Sequence, residues 1–156
     1  MKLIIFLSFL LAQLNVFAQS DTLVVRFNNP VVVSPGKGYS QTVQVDLGNC
    51  TMLVLSGQVA FDKDGNLTGK DDLAKQTVQV FTNIKNIVED AGGSMSNLIK
   101  LNYYLLDVSQ IQTLRNIRDK FINAAKPPAS TLVQVSKLFQ DDILIEIEAT
   151  AIIPKK

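Results

Sequence analysis

Ser130 and Thr131 open a β-rich stretch directly after Pro127-Pro128. Hydroxyls at the mouth of a strand, just past a rigid turn, are placed to meet a ligand. A serine nucleophile needs a base, and the chain contains no histidine. That excludes His-based triads, imidazole acid–base chemistry and His metal sites. The lone Cys50 precedes an apolar strand with no cation beside it, the setting of a half-buried thiol rather than a reactive one. Metal ligation is then left to oxygen. The segment Asp62-Lys63-Asp64-Gly65-Asn66 has its glycine misplaced for a calcium loop, and the twelfth position is Leu73. Asp64-Gly65 instead predicts a hairpin turn. No metal or cofactor is expected.

The first eighteen residues carry one charge, Lys2, an apolar run from Leu3 to Leu11, and a small-residue ending, Val16-Phe17-Ala18. This pattern predicts a secretory signal peptide over 1–18 and an exported protein, periplasmic or secreted. The apolar run is too short to span a bilayer, so no membrane association is expected after cleavage. Loss of Lys2 leaves 14 basic against 14 acidic residues. With no net charge and no basic stripe, nucleic acid is not an expected partner. One cysteine cannot close an internal disulfide, so an exported fold must rest on its core.

Those residues have to be positioned by a single domain. Residues 19–34 read as an N-terminal extension with short β-rich pieces split by Pro30, and 35–156 as the domain proper. Residues 41–47 alternate as a strand. Residues 52–60 are more continuously apolar, which predicts a strand buried on both faces. Leu73, Val80, Phe81, Ile84, Ile87, Val88 and Ala91 recur at helical spacing over 71–91, and Gly92-Gly93 supplies the stop. A strand over 97–107 turns Ile99, Leu101, Tyr103 and Leu105 one way. A second helix is predicted from about Gln110 to Ala125, with a Ser109/Gln112 capping box and Pro127 as its end. Strands over 130–138 and 142–153 close the chain. The resulting order, β-β-β-α-β-α-β-β, predicts an α+β fold with both helices on one face of a mixed sheet. In the last strand the opposite face carries Leu144 and Ile152 among Glu146, Glu148 and Thr150. Such a mixed face points to contact with another subunit.

Several pieces of the chain, in order, resemble the RidA/YjgF family: "GYSQTVQV" (38–45), "LSGQV" (55–59), "TVQVFTNIKNIVEDAG" (77–92), "LIKLNYYLLDV" (98–108), "PASTLVQVSKL" (128–138) and "IEIEATAI" (145–152). The resemblance implies a chorismate-mutase-like fold, a homotrimer and a small-molecule cleft at each subunit boundary. It also implies a chemistry: an arginine opening the penultimate strand clamps the carboxylate of a 2-imino or 2-enamino acid. A glutamate in the final strand positions water, and the products are a 2-keto acid and ammonia. Carried onto this chain, the resemblance places the glutamate at Glu146, the entry tyrosine at Tyr39, and the glycine facing the ligand at Gly57.

The arginine's place falls on Ser130. A guanidinium gives two charge-assisted hydrogen bonds to a carboxylate, and a serine gives one neutral donor. Two such contacts are worth roughly 10²–10⁴ in transition-state binding. The expectation is therefore a ligand-binding relative whose deaminase activity is weak or absent. The alternative is a deaminase that still uses Glu146. Arg115, where the family often has an asparagine, is a candidate substitute for the missing guanidinium; its plainer role is a solvated helix charge. Thr131 joins Ser130 as a candidate ligand contact. For Glu146 the plainer role is a seam charge paired with Lys100 or Lys137.

Overall fold

A computed structural model describes residues 24–155. The segment read as a signal peptide lies outside the described residues. The elements run β1 (Val25–Asn28), β2 (Thr42–Asp46), β3 (Cys50–Gln58), α1 (Leu73–Asp90), β4 (Leu98–Leu105), α2 (Ile111–Arg118), β5 (Ala129–Gln134) and β6 (Ile145–Pro154). This is the β-β-β-α-β-α-β-β order, in one six-stranded sheet ordered β1-β2-β3-β6-β4-β5. The first strand comes from the segment read as an extension and forms the edge of the sheet against β2. Val31–Val33 make a turn instead of continuing it, and Val33 is buried.

Connectivity puts both helices on one face. β4 and β5 pair in parallel through α2. β3 and β4 also run parallel to each other, because β6 lies between them and is antiparallel to both. Two right-handed crossovers advancing in the same direction must place their helices on the same side. There Val80, Phe81, Ile84, Ile87 and Val88 of α1 meet Leu53, Leu55, Leu101, Ile145, Ile147, Ala149 and Ala151 of the sheet. Alternation in β6 runs without a break: Ile145, Ile147, Ala149, Ala151 and Ile153 are buried, and the residues between them are half-buried.

Four local expectations are corrected. Ile99 is exposed rather than inward, because the register of β4 on β6 shifts between Leu98 and Lys100. A bulge there turns its side chain out. The second helix stops at Arg118. Beyond it, Lys120 and Phe121 bond three residues back, the Arg118 carbonyl is shared with the Ile122 N–H, and the Asn123 carboxamide accepts from the Ala125 N–H. That turn stacks Phe121 on Phe81, with ring centroids 5.1 Å apart, and packing overrides helix propensity. The start of α2 has no side-chain cap; Asp107 instead accepts from the Ser109 N–H, and Gln112 bonds Asn116. β3 is buried on one face only. Leu53 and Leu55 are covered, while Val54 is 38% exposed in the single chain.

Candidate functional site

A bulge in β3 creates the site. Leu55 pairs with Ala149 and Gln58 with Ile147, so β3 carries an extra residue around Ser56-Gly57. Bulges of this kind redirect side chains beside binding sites. Here it brings the Gly57 backbone against Glu146. A Cβ at Gly57 would overlap the Glu146 carboxylate, so a larger residue there would have to push that side chain aside. Side-chain amides fix the surroundings. Gln58 donates to the Gln41 side-chain oxygen at 2.8 Å, and Gln41 donates to the Ser34 carbonyl at 2.7 Å. The Ser56 hydroxyl donates to the Ser40 carbonyl. Asn83 of α1 donates to the carbonyls of Val59 and Phe61, holding the chain beyond β3.

The result is an open cleft of about 910 Å³. Tyr39, Gly57 and Glu146 all line it, although they lie on three separate segments of the chain. The cleft also contains Gln41, Gln58, Asn83, Phe61 and Phe139, which the sequence reading did not single out. A signal existed for two of them: Gln41 and Gln58 are amides inside otherwise strand-like stretches, and both are buried. A buried amide needs a partner, and the two supply each other.

Glu146 and Glu148 share one side of β6 and differ in their surroundings. Glu148 accepts from Asn102 Nδ2 and from the Tyr104 hydroxyl, each at 3.0 Å. Burial, and then the Glu148 charge, push the Glu146 carboxyl above the ordinary range. No hydrogen bond from the described residues offsets that shift. A carboxylate held this way in a cleft can orient or deprotonate water. Neither Lys100 nor Lys137 pairs with it: Lys100 donates to the Thr131 hydroxyl at 2.8 Å and Lys137 pairs with Asp141.

The remaining candidates sit apart from this cleft. Ser130 and Thr131 lie on the edge strand β5 and point to opposite faces. Ser130 aligns with Leu101 on the helix-covered side and Thr131 with Asn102 on the other. The Ser130 hydroxyl donates to the Pro128 carbonyl at 3.2 Å. Arg115 is exposed on α2. One turn later, Arg118 is bound by Asp119 at 2.7 Å and lies near Tyr103. The Tyr103 hydroxyl is buried close to Ser130 and Arg118 but in good hydrogen-bond geometry with neither, and burial pushes its pKa up to about 12. Among the described residues no group of three His, Cys, Asp or Glu could hold a metal ion. No described helix is long and apolar enough to cross a membrane.

Comparison with known proteins places this architecture. The family profile described as endoribonuclease L-PSP matches residues 28–153. A RutC family protein of Pyrococcus horikoshii is 37% identical over 124 residues, covering 80% of this chain and 91% of its own. A protein of Dermatophagoides farinae named 2-iminobutanoate/2-iminopropanoate deaminase is 30% identical over 126 residues, covering 81% and 94%. Among solved structures, RidA from the Antarctic bacterium Psychrobacter sp. superposes with a TM-score of 0.72 at 32% identity, covering 82% of this chain and 99% of that one. Fold, motif order and sequence agree, and the chain belongs to the RidA/YjgF family, described by its profile as endoribonuclease L-PSP.

Proposed function

We propose that this chain is an exported, trimeric RidA-like protein that binds a small metabolite in clefts between subunits, with imine or enamine deaminase activity weak or absent. One observation carries this reading. Tyr39, Gly57 and Glu146 gather in one cleft, while the place that the resemblance gives to the carboxylate-clamping arginine falls on Ser130, a neutral hydroxyl that donates to the Pro128 carbonyl. The separation of Ser130 and Thr131 from the cleft within one chain suits a site completed by a neighbouring subunit. The half-apolar open face of the sheet suits the same assembly.

A second reading keeps the family's reaction, with Glu146 positioning the water that attacks an imine carbon. The deaminase-named relative and the raised Glu146 carboxyl favour it. Ammonia release from freshly generated 2-iminopropanoate separates the two. The purified protein is expected to stay near background, and clear turnover overturns the first reading. Ser130→Arg is expected to raise the rate by about 10²-fold or more if the rest of the cleft is competent. Export is tested separately, by N-terminal sequencing of the mature protein: a start near Gln19 supports it, and a retained Met1 removes it.

A further inference from the structure

The cleft contains an aromatic corner that the reading above does not use. Phe61 and Phe139 both line it, with ring centroids 6.3 Å apart and planes at 63°. Phe139 is 68% exposed. A single exposed phenylalanine is ordinary on a protein surface. Two rings set edge to face on the wall of a cleft are different, because the angle between them leaves a concave apolar surface for a third group.

The corner is held in place. Phe139 lies in the connection from β5 to β6, which is fastened at both ends. The Val135 N–H donates to the Leu105 carbonyl. The Gln76 carboxamide donates to the Asp142 carbonyl at 2.7 Å and accepts from the Leu144 N–H at 2.8 Å. Gln76 is fully buried, so its two bonds to this loop are shielded from water. Phe61 is fixed from the other side, where its carbonyl accepts from Asn83. Little ordering remains for a ligand to bring about, which favours affinity.

From this geometry we infer that the cleft selects a ligand with an aromatic or large aliphatic substituent, seated on Phe61 and Phe139, and a hydrogen-bond-donating nitrogen directed at Glu146. This rests on the cleft being the ligand site. Within one chain the cleft of about 910 Å³ is open, and the neighbouring subunit that completes it would leave the aromatic corner as its apolar wall. Without an arginine clamp in the chain's own cleft, apolar area becomes the main source of affinity.

The chain contains no tryptophan, so indole emission reports a bound probe directly when excited where tyrosine does not absorb. Tryptamine is the probe, with 2-phenylethylamine and ethylamine as competitors. Tryptamine should bind, 2-phenylethylamine should displace it, and ethylamine should be at least tenfold weaker. Phe139→Ala, at an exposed position that leaves folding intact, should weaken tryptamine roughly tenfold and leave ethylamine unchanged. Glu146→Gln should weaken all the amines. Equal competition by ethylamine, or an unchanged tryptamine affinity in Phe139→Ala, overturns the aromatic corner while the cleft stands. No binding of any amine overturns the inference, whereas turnover of 2-iminopropanoate well above background overturns the weak-deaminase reading and leaves the corner to be judged by Phe139→Ala.

Discussion

The two faces of the sheet obey different rules. On the covered face, strands and helix supply aliphatic side chains, and almost every one is sealed within the chain itself. On the open face the composition divides. Val25, Phe27, Val43, Val45, Met52, Val54 and Ile152 lie on aligned positions of β1, β2, β3 and β6. Lys100, Asn102, Tyr104, Thr131, Glu146 and Glu148 occupy the side toward β4 and β5. The covered face is explained by this chain's own folding. The open face is not: part of it is as apolar as a core edge, and the rest carries the hydrogen-bonded Glu148 carboxylate and, beside it, Glu146 facing the cleft. The first is what a subunit contact requires, and the second is what a ligand site requires.

The largest effect is expected on the covered face. Phe81 is fully buried on the covered face and stacks on Phe121. Phe81→Ala should cost about 3–5 kcal/mol, read by urea denaturation, through lost transfer energy and a residual cavity. A loss under about 1 kcal/mol would mean that the two faces do not differ in the way described. Next comes the apolar half of the open face. Val54→Lys should leave the monomer's circular dichroism intact and weaken self-association by about 10²-fold or more, measured by light scattering, since an unpaired ammonium is costly to desolvate. Unchanged assembly would show that this half faces water.

Gly57→Ala sharpens the polar half. The added Cβ has to displace the Glu146 carboxylate, the movable end of a side chain, so a stability cost under about 1 kcal/mol is expected together with weakened ligand binding. The smallest effect is a slope. Because Glu146 is held above its ordinary value of 4.5, the folded state takes up its proton more readily than the unfolded state. Stability from this group is therefore present below about that pH and lost as pH rises through the raised value. Glu146→Gln should flatten the urea midpoint against pH in that window. A slope of the same size in the variant would assign it to another group.

Much of the fold was legible because periodicity survives folding. The unbroken alternation from Ile145 to Ile153 fixed which side of β6 faces the helices, and the α1 stripe was read correctly from Val80 to Val88. Ile99 was not legible, since a bulge inserts a residue without any local sequence mark. The end of α2 was missed for a related reason. The stacking of Phe121 on Phe81 is a contact between distant residues, and helix propensity does not register it. Tyr39, Gly57 and Glu146, which line one cleft, were singled out through a motif match, whereas Phe61 and Phe139 belong to no motif and become neighbours only in the fold.

Element order, core stripes and chemical inventory were already set along the chain: no histidine, one cysteine, and a serine at 130. These are local properties, set by residue type and spacing along the chain. Folding in three dimensions added that a bulge in β3 presses Gly57 onto Glu146, that Glu148 is hydrogen-bonded within the chain while Glu146 faces the open cleft, and that Ser130 and Thr131 point to opposite faces of an edge strand. Those outcomes depend on strand order, register and the closing of long loops, where a shift of one residue reverses a side chain's direction.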